Sequence, residues 1–273
     1  MLFDAAAARP VPIPLFAEMG SINPVFVLPG ALKSRGASVA QSMAKSVTLG
    51  VGQFCTKPGL ALGVRGPELD AFTETLGREI AQSPAATMLH AGIAEHYRNG
   101  LSKRGGISGI RVAGSAAASS ASATSAKAGE KSSSAFAAVF TADAELFAKE
   151  PSLSEELFGP ATLVVPTESK EGLEEIARNL AGQLTVTIHA TDEDLKEFAS
   201  LVDILREKAG VWLRPISCRF RPGRRASNRP ASSQCGIRHP PRRSGTRVPP
   251  GTVFWRHRSF PPPAPLRARR RAR

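Results

Sequence analysis

The chain has 273 residues, 42% of them apolar, and a formal net charge of +13, which is length and apolar content enough for a core in one large domain or two modest ones. The charge is unevenly placed: Arg214 to Arg273 hold 17 Arg and no Lys, Asp or Glu, so the preceding 213 residues carry 13 − 17 = −4. No run approaches about 18 consecutive apolar residues and Met1-Leu2-Phe3-Asp4 has no basic stretch, so neither a membrane-spanning helix nor a secretory leader is expected; the three cysteines, Cys55, Cys218 and Cys235, form no disulfide framework, and the expected setting is reducing and cytoplasmic.

Val25-Phe26-Val27-Leu28 is a short apolar run closed by Pro29-Gly30, the pattern of a buried strand followed by a turn. A helix of small residues is predicted from about Ser38 to Val47, and its end delivers Gly50-Val51-Gly52-Gln53 and Cys55 in a glycine-rich bend. Gly66-Pro67 opens another helix, with Leu69, Phe72, Leu76 and Ile80 near one face and Glu68 and Asp70 in the first turn, where the helix dipole favours acids. A second amphipathic helix is predicted around Thr87 to Leu101. From Gly105 to Ala135 the chain turns to Gly, Ala and Ser, a composition that taken alone reads as a linker.

Ala137 to Phe140 and Thr162 to Val165 read as strands flanking an acidic helical stretch. Leu173, Ile176, Ala177 and Leu180 repeat at helical spacing, and Gln183 to His189 alternates polar and apolar as a half-buried strand does. Thr191 followed by Asp194 is close to a capping box, and Leu195, Phe198, Leu201 and Leu205 supply the apolar face of the helix it would start. Helices alternating with strands give an α/β fold class.

Two short phrases carry the chemistry. Phe16-Ala17-Glu18-Met19-Gly20-Ser21 offers a carboxylate base, and Gly52-Gln53-Phe54-Cys55-Thr56 offers a thiol nucleophile, 55 − 18 = 37 positions away, so the two meet only if the fold brings them together. Against these stand plainer readings: a cysteine in an apolar, Gly-rich stretch as a small buried hydrophobe, and Glu18 as a surface carboxylate at a strand end. His90, His96, His189, His239 and His257 show no zinc-ligand spacing, and no metal is expected.

Both phrases resemble the aldehyde dehydrogenase superfamily, in which a Glu in a Glu-Leu-Gly-Gly-like segment precedes a Cys in a Gly-Gln-x-Cys-like segment. With their flanks from Pro12 to Leu60 they are most similar to the branch that oxidises 2,5-dioxopentanoate. Glu155-Glu156-Leu157-Phe158-Gly159-Pro160 is similar to the family's cofactor-ribose motif, in the expected order. The resemblance implies that Cys55 attacks an aldehyde carbon, that Glu18 activates water against the resulting thioester, and that Glu156 and Phe158 hold the nicotinamide ribose and ring of NADP or NAD. Glu156 and Phe158 also admit a reading as a helix end that caps and packs.

The resemblance covers residues 1–210 as a catalytic-domain fragment and implies a small aldehyde as substrate and a homo-oligomer for the intact enzyme. It also implies that the Rossmann-like cofactor half and an Asn oxyanion donor lie upstream of this chain, so that the chain by itself reduces no cofactor. Residues 211–273, rich in Arg and Pro, are expected to be disordered and an out-of-frame product. The alternative is a non-enzymatic remnant whose 17 Arg, with Phe220, Phe254, Trp255 and Phe260 among them, bind nucleic acid or other polyanions.

Overall fold

Apolar residues on both sides of nearly every central strand require cover on both faces of a sheet, and the fold supplies it. In the computed structural model, which describes residues 2–15, 20–116 and 133–213, the last three as backbone alone, the elements run α1 (Leu2–Ala7), β1 (Pro24–Val27), α2 (Pro29–Thr48), β2 (Leu60–Val64), α3 (Pro67–Ala81), β3 (Ala86–Thr87), α4 (Ala91–Gly105) and β4 (Arg111–Ser115). They continue with β5 (Ser134–Ala135), β6 (Ala138–Thr141), α5 (Ala144–Lys149), β7 (Ala161–Thr167), α6 (Lys170–Asn179), β8 (Gln183–His189), α7 (Asp192–Glu197), α8 (Ala199–Lys208) and β9 (Ala209–Leu213). Among the described residues no helix is long and apolar enough to cross a membrane.

The main sheet has seven strands in the order β4-β6-β7-β2-β1-β8-β9; every neighbouring pair is parallel except β4 with β6. The period-two side-chain rule sorts the core. Phe26, Leu28, Leu60, Leu62, Leu163, Val165, Val186 and Ile188 face one layer, which α5, α6 and α8 cover with Phe147, Leu173, Ile176, Leu201 and Leu205. Val25, Val27, Ala61, Val139 and Val164 face the other, covered by Val39, Met43 and Val47 of α2 and Leu69, Phe72, Leu76 and Ile80 of α3. Helices on both faces of a largely parallel sheet are the α/β arrangement expected. β3 and β5 form a separate two-stranded ladder beside α4.

Several elements depart from the sequence expectation, each for a physical reason. Pro29-Gly30 is not a turn but the first turn of α2, nine residues ahead of the expected start at Ser38. Proline at the first helical position has no N–H to lose, and the free N–H groups of Gly30 and Ala31 donate to the Asp194 carboxylate at 2.9 and 3.0 Å. A break at Arg35 (φ −152°) separates that first stretch from the expected one. Helix α4 begins at Ala91 and not Thr87, because His90 Nδ1 accepts from the N–H groups of Gly92 and Ile93 and sets the start.

Part of the Gly, Ala and Ser stretch is strand β4. Gly114 and Gly77 let α3 lie directly on it: a Cβ at Gly77 would stand 2.3 Å from the Ala113 carbonyl oxygen. The remainder, residues 117–132, lies outside the described residues. β9 pairs with β8 through Leu213, three residues beyond the expected end of the catalytic-domain segment at Gly210.

Candidate active site

Three of the four predicted site residues, Cys55, Glu156 and Phe158, lie on loops at the amino ends of the parallel strands, before Leu60 of β2 and Ala161 of β7 and on the same edge as Pro24 of β1 and Gln183 of β8. Open α/β sheets generally bind ligands at the opposite, carboxyl edge. Here the amino edge is built up by two loops, Leu49 to Gly59 before β2 and Glu150 to Pro160 before β7.

The first loop leaves α2 through a tight turn in which Gly50, Val51 and Gly52 all take left-handed φ, 54°, 59° and 65°. Only glycine adopts this conformation without cost, so Val51 is held there by its surroundings. At Gly52 the reason is also spatial: a Cβ would come within 2.3 Å of the Gly159 backbone, so the turn lies flat on the second loop. Gln53 braces the bend, accepting from the Leu89 N–H at 2.9 Å and donating to the Gly50 carbonyl at 3.1 Å. Cys55 follows, a free cysteine with its residue exposed. The reading of this cysteine as a buried apolar filler is therefore excluded, while the glycines form the bend expected beside it.

Asn23 is the hub of the site. It is 2% exposed and left-handed (φ 51°), and its Nδ2 donates to the carbonyls of Cys55 (2.8 Å), Lys57 (3.1 Å) and Ser21 (3.1 Å). Its Oδ1 accepts from the Thr185 N–H and hydroxyl, at 3.2 and 2.8 Å, and from Ser21 Oγ at 2.9 Å. Gln183 Oε1 accepts from the N–H groups of Ile22 and Asn23, at 2.9 and 3.1 Å. A buried, fully engaged amide network of this kind fixes one geometry. It ties the segment that follows Glu18 to the thiol loop and to β8. Glu18 itself, the expected base, lies outside the described residues.

On the second loop, Glu156 Oε2 accepts from the Ser21 N–H at 3.2 Å, while its Oε1 is buried and has no hydrogen-bond partner among the described residues. Phe158 is 38% exposed. Both line an open groove of ≈ 1190 Å³ with Gly20, Ser21, Arg104 and Gln183. Cys55 does not line it, so the structure brings Glu156 and Phe158 to one surface and joins the cysteine loop to their loop at Gly52 and Gly159.

Three buried polar side chains here escaped the sequence reading. Lys57 is 2% exposed and donates to the carbonyls of Leu157 and Ala161; burial pulls its ammonium down to about 8, with Glu156 opposing the shift and Arg104 adding to it. Arg104, 7% exposed, donates to the carbonyls of Ser152 and Glu155, and burial lowers its pKa. Tyr97 donates to the Phe136 carbonyl at 2.8 Å, and burial raises its phenol. No local pattern marks a lysine or arginine that will be buried, since both are ordinary surface residues.

The fold and this edge define an α/β domain that, among the described residues, presents one exposed thiol on a strained glycine bend, packed on a loop whose buried carboxylate oxygen has no hydrogen-bond partner. No family model matches the chain. An α-ketoglutaric semialdehyde dehydrogenase 2 from Azospirillum brasilense is 42% identical over 212 residues, 78% of this chain and 38% of the relative. An α-ketoglutaric semialdehyde dehydrogenase from Acinetobacter baylyi is 38% identical over 210 residues, 77% of this chain and 38% of the relative. Among solved structures, a succinic semialdehyde dehydrogenase from Streptococcus pyogenes in complex with NADP+ matches with a TM-score of 0.53 at 14% identity, over 72% of this chain and 41% of that one; it supports the fold alone. Over this span the chain is similar to the aldehyde dehydrogenase family. It spans about 38% of the length of the curated relatives it matches.

Proposed function

We propose that this chain carries the thiol-bearing part of an NADP- or NAD-dependent dehydrogenase that oxidises the aldehyde end of a short keto acid, of the 2,5-dioxopentanoate kind, to a carboxylate. The observation that carries the reading is the joining of two family-like motifs in space: the Cys55 bend lies on the Glu156–Phe158 loop at Gly52 and Gly159. The substrate class follows the two relatives.

Cys55 as thiolate adds to the aldehyde carbon, forming a C–S bond and an alkoxide, toward which the Cys55 backbone N–H is one oxyanion donor. A bound nicotinamide cofactor supplies the hydride acceptor for the carbon. Cys55 then holds the acyl group as a thioester, and water, losing its proton to Glu18, replaces the sulfur to give the carboxylate and free thiol. The fit of a cofactor ribose rests on Glu156: a buried carboxylate oxygen with no donor, at the wall of an open groove, is the acceptor a ribose hydroxyl requires. Phe158, half exposed on the same wall, offers a ring face to the nicotinamide. A reducing, cytoplasmic setting keeps the thiol competent.

Residues 1–210 grafted in place of the matching segment of the Azospirillum relative test the reading. The graft is expected to form NADPH from 2,5-dioxopentanoate, and Cys55→Ser to lower the rate at least about 10³-fold with cofactor binding retained. A graft that folds, binds NADP and turns over equally well after Cys55→Ser overturns it. The comparisons favour this reading over polyanion binding by the tail, which lies outside the described residues.

A further inference from the structure

Lys57 stands two residues past the thiol and takes no part in the chemistry above, yet it is among the most buried charged side chains described. Its backbone carbonyl accepts from Asn23 Nδ2, as the carbonyl of Cys55 does, so its main chain belongs to the thiol loop. Its Nζ reaches the carbonyls of Leu157 at 3.0 Å and Ala161 at 3.1 Å, which bracket Phe158-Gly159-Pro160. One residue thus spans both loops. Burying an ammonium carries a desolvation cost, which these hydrogen bonds and the nearby Glu156 offset only in part. An apolar side chain would fill the volume without that cost, but would leave the two loops joined by packing alone, at Gly52 against Gly159 and Val51 against the cluster that holds Leu157.

Arg104 provides the contrast. It too is buried and donates to carbonyls of the second loop, Ser152 at 3.4 Å and Glu155 at 3.2 Å, but it comes from α4. The loop's first half is therefore fastened to α4 and its second half to the thiol loop, with Glu156 between the two attachments.

We propose that Lys57 is a positioning residue whose buried Nζ, through its N–H donors, fastens the Cys55 loop to the Glu156–Phe158 loop and so sets the placement of the reacting thiol relative to the cofactor contacts. This rests on the reading of Cys55 and Glu156 given above; its test does not.

Opening the two loops would return Lys57 to water, where an ammonium titrates at 10.5, against about 8 in the closed state, with Glu156 and Arg104 the charged groups that face it. Between those values the opened state binds more protons, so opening becomes harder as pH rises from about 8 toward 10.5. From pH 7 to pH 9 the linkage amounts to about tenfold in the opening equilibrium.

Amide hydrogen exchange of the full chain, read by mass spectrometry and corrected for intrinsic base catalysis, tests this. Gly52 to Lys57 and Leu157 to Ala161 are expected to gain about tenfold protection together between pH 7 and 9. Lys57→Met is expected to expose both segments and remove their pH dependence while β1 and β8 stay protected. Arg104→Met is expected to loosen Ser152 to Glu155 and leave the joint pH profile in place, and Cys55→Ser to leave everything in place. A flat profile, a profile shared by the whole sheet, or one that vanishes with the thiol overturns the proposal. Should Lys57→Met fail to fold by circular dichroism, the wild-type and Cys55→Ser profiles decide alone. If the graft described above fails in turnover while the two segments still move together, the functional reading falls and the attachment stands.

Discussion

Buried polar side chains set the geometry of the candidate site, and a half-buried histidine away from it sets a pH limit. His189 ends β8, and burial, with Arg35 adding to the effect, lowers its pKa to about 4 from 6.5. The folded state therefore resists protonation while the unfolded chain accepts it. Stability from this group is complete above pH 6.5 and is lost as pH falls toward about 4. Allowing for its partial exposure, about 2–3 kcal/mol is at stake. Urea denaturation at pH 7 and pH 4.5 is expected to show His189→Gln losing less stability across that interval than the wild type by about this amount; parallel losses in both chains would assign the acid sensitivity elsewhere.

Helix starts in this protein depend on side chains far away in sequence. Asp194, 4% exposed, accepts from the N–H of Thr191 at 2.8 Å to complete the capping box of α7, and the same carboxylate accepts from Gly30 and Ala31 to begin α2. One residue thus caps two helices that begin more than 160 positions apart in the chain. Asp194→Ala is expected to cost about 2–4 kcal/mol in equilibrium unfolding and to raise exchange at Gly30 and Ala31 above that at Met43. A loss under about 0.5 kcal/mol would mean that α2 starts without it. The capping box was legible in Thr191-x-x-Asp194, because its donors and acceptors are three residues apart. The start of α2 was not, because Pro29-Gly30 admits both a turn and a helix start and the deciding carboxylate arrives only with the folded β8–α7 connection. For the same reason β4 hides in a stretch whose glycines read as a linker and serve as contacts with α3.

All seven strands of the main sheet and both apolar layers lie between Pro24 and Leu213, while the positive charge lies after it. Cooperative melting should then belong to the first part and polyanion affinity to the second. A chain ending after Leu213, with net charge −4 against +13, is expected to melt within about 3 °C of the full chain and to lose retention on heparin. A fall of more than about 10 °C would show that the sheet depends on the Arg-rich segment.

The α/β class, the strand at Gln183–His189, the strand core at Thr162 to Val165, the helix opened by Pro67 and the thiol of Cys55 on its glycine bend were all determined by the sequence alone. Each rests on short-range information: the period of apolar residues, the fixed φ of proline, the permissive φ of glycine. Tertiary structure alone decided that the site sits on the amino edge of the sheet, that Asn23 joins three segments, and that Lys57 and Arg104 turn inward onto carbonyls. Those outcomes depend on which distant backbone groups are left without partners once the sheet closes, and a buried carbonyl recruits whichever long cationic side chain can reach it.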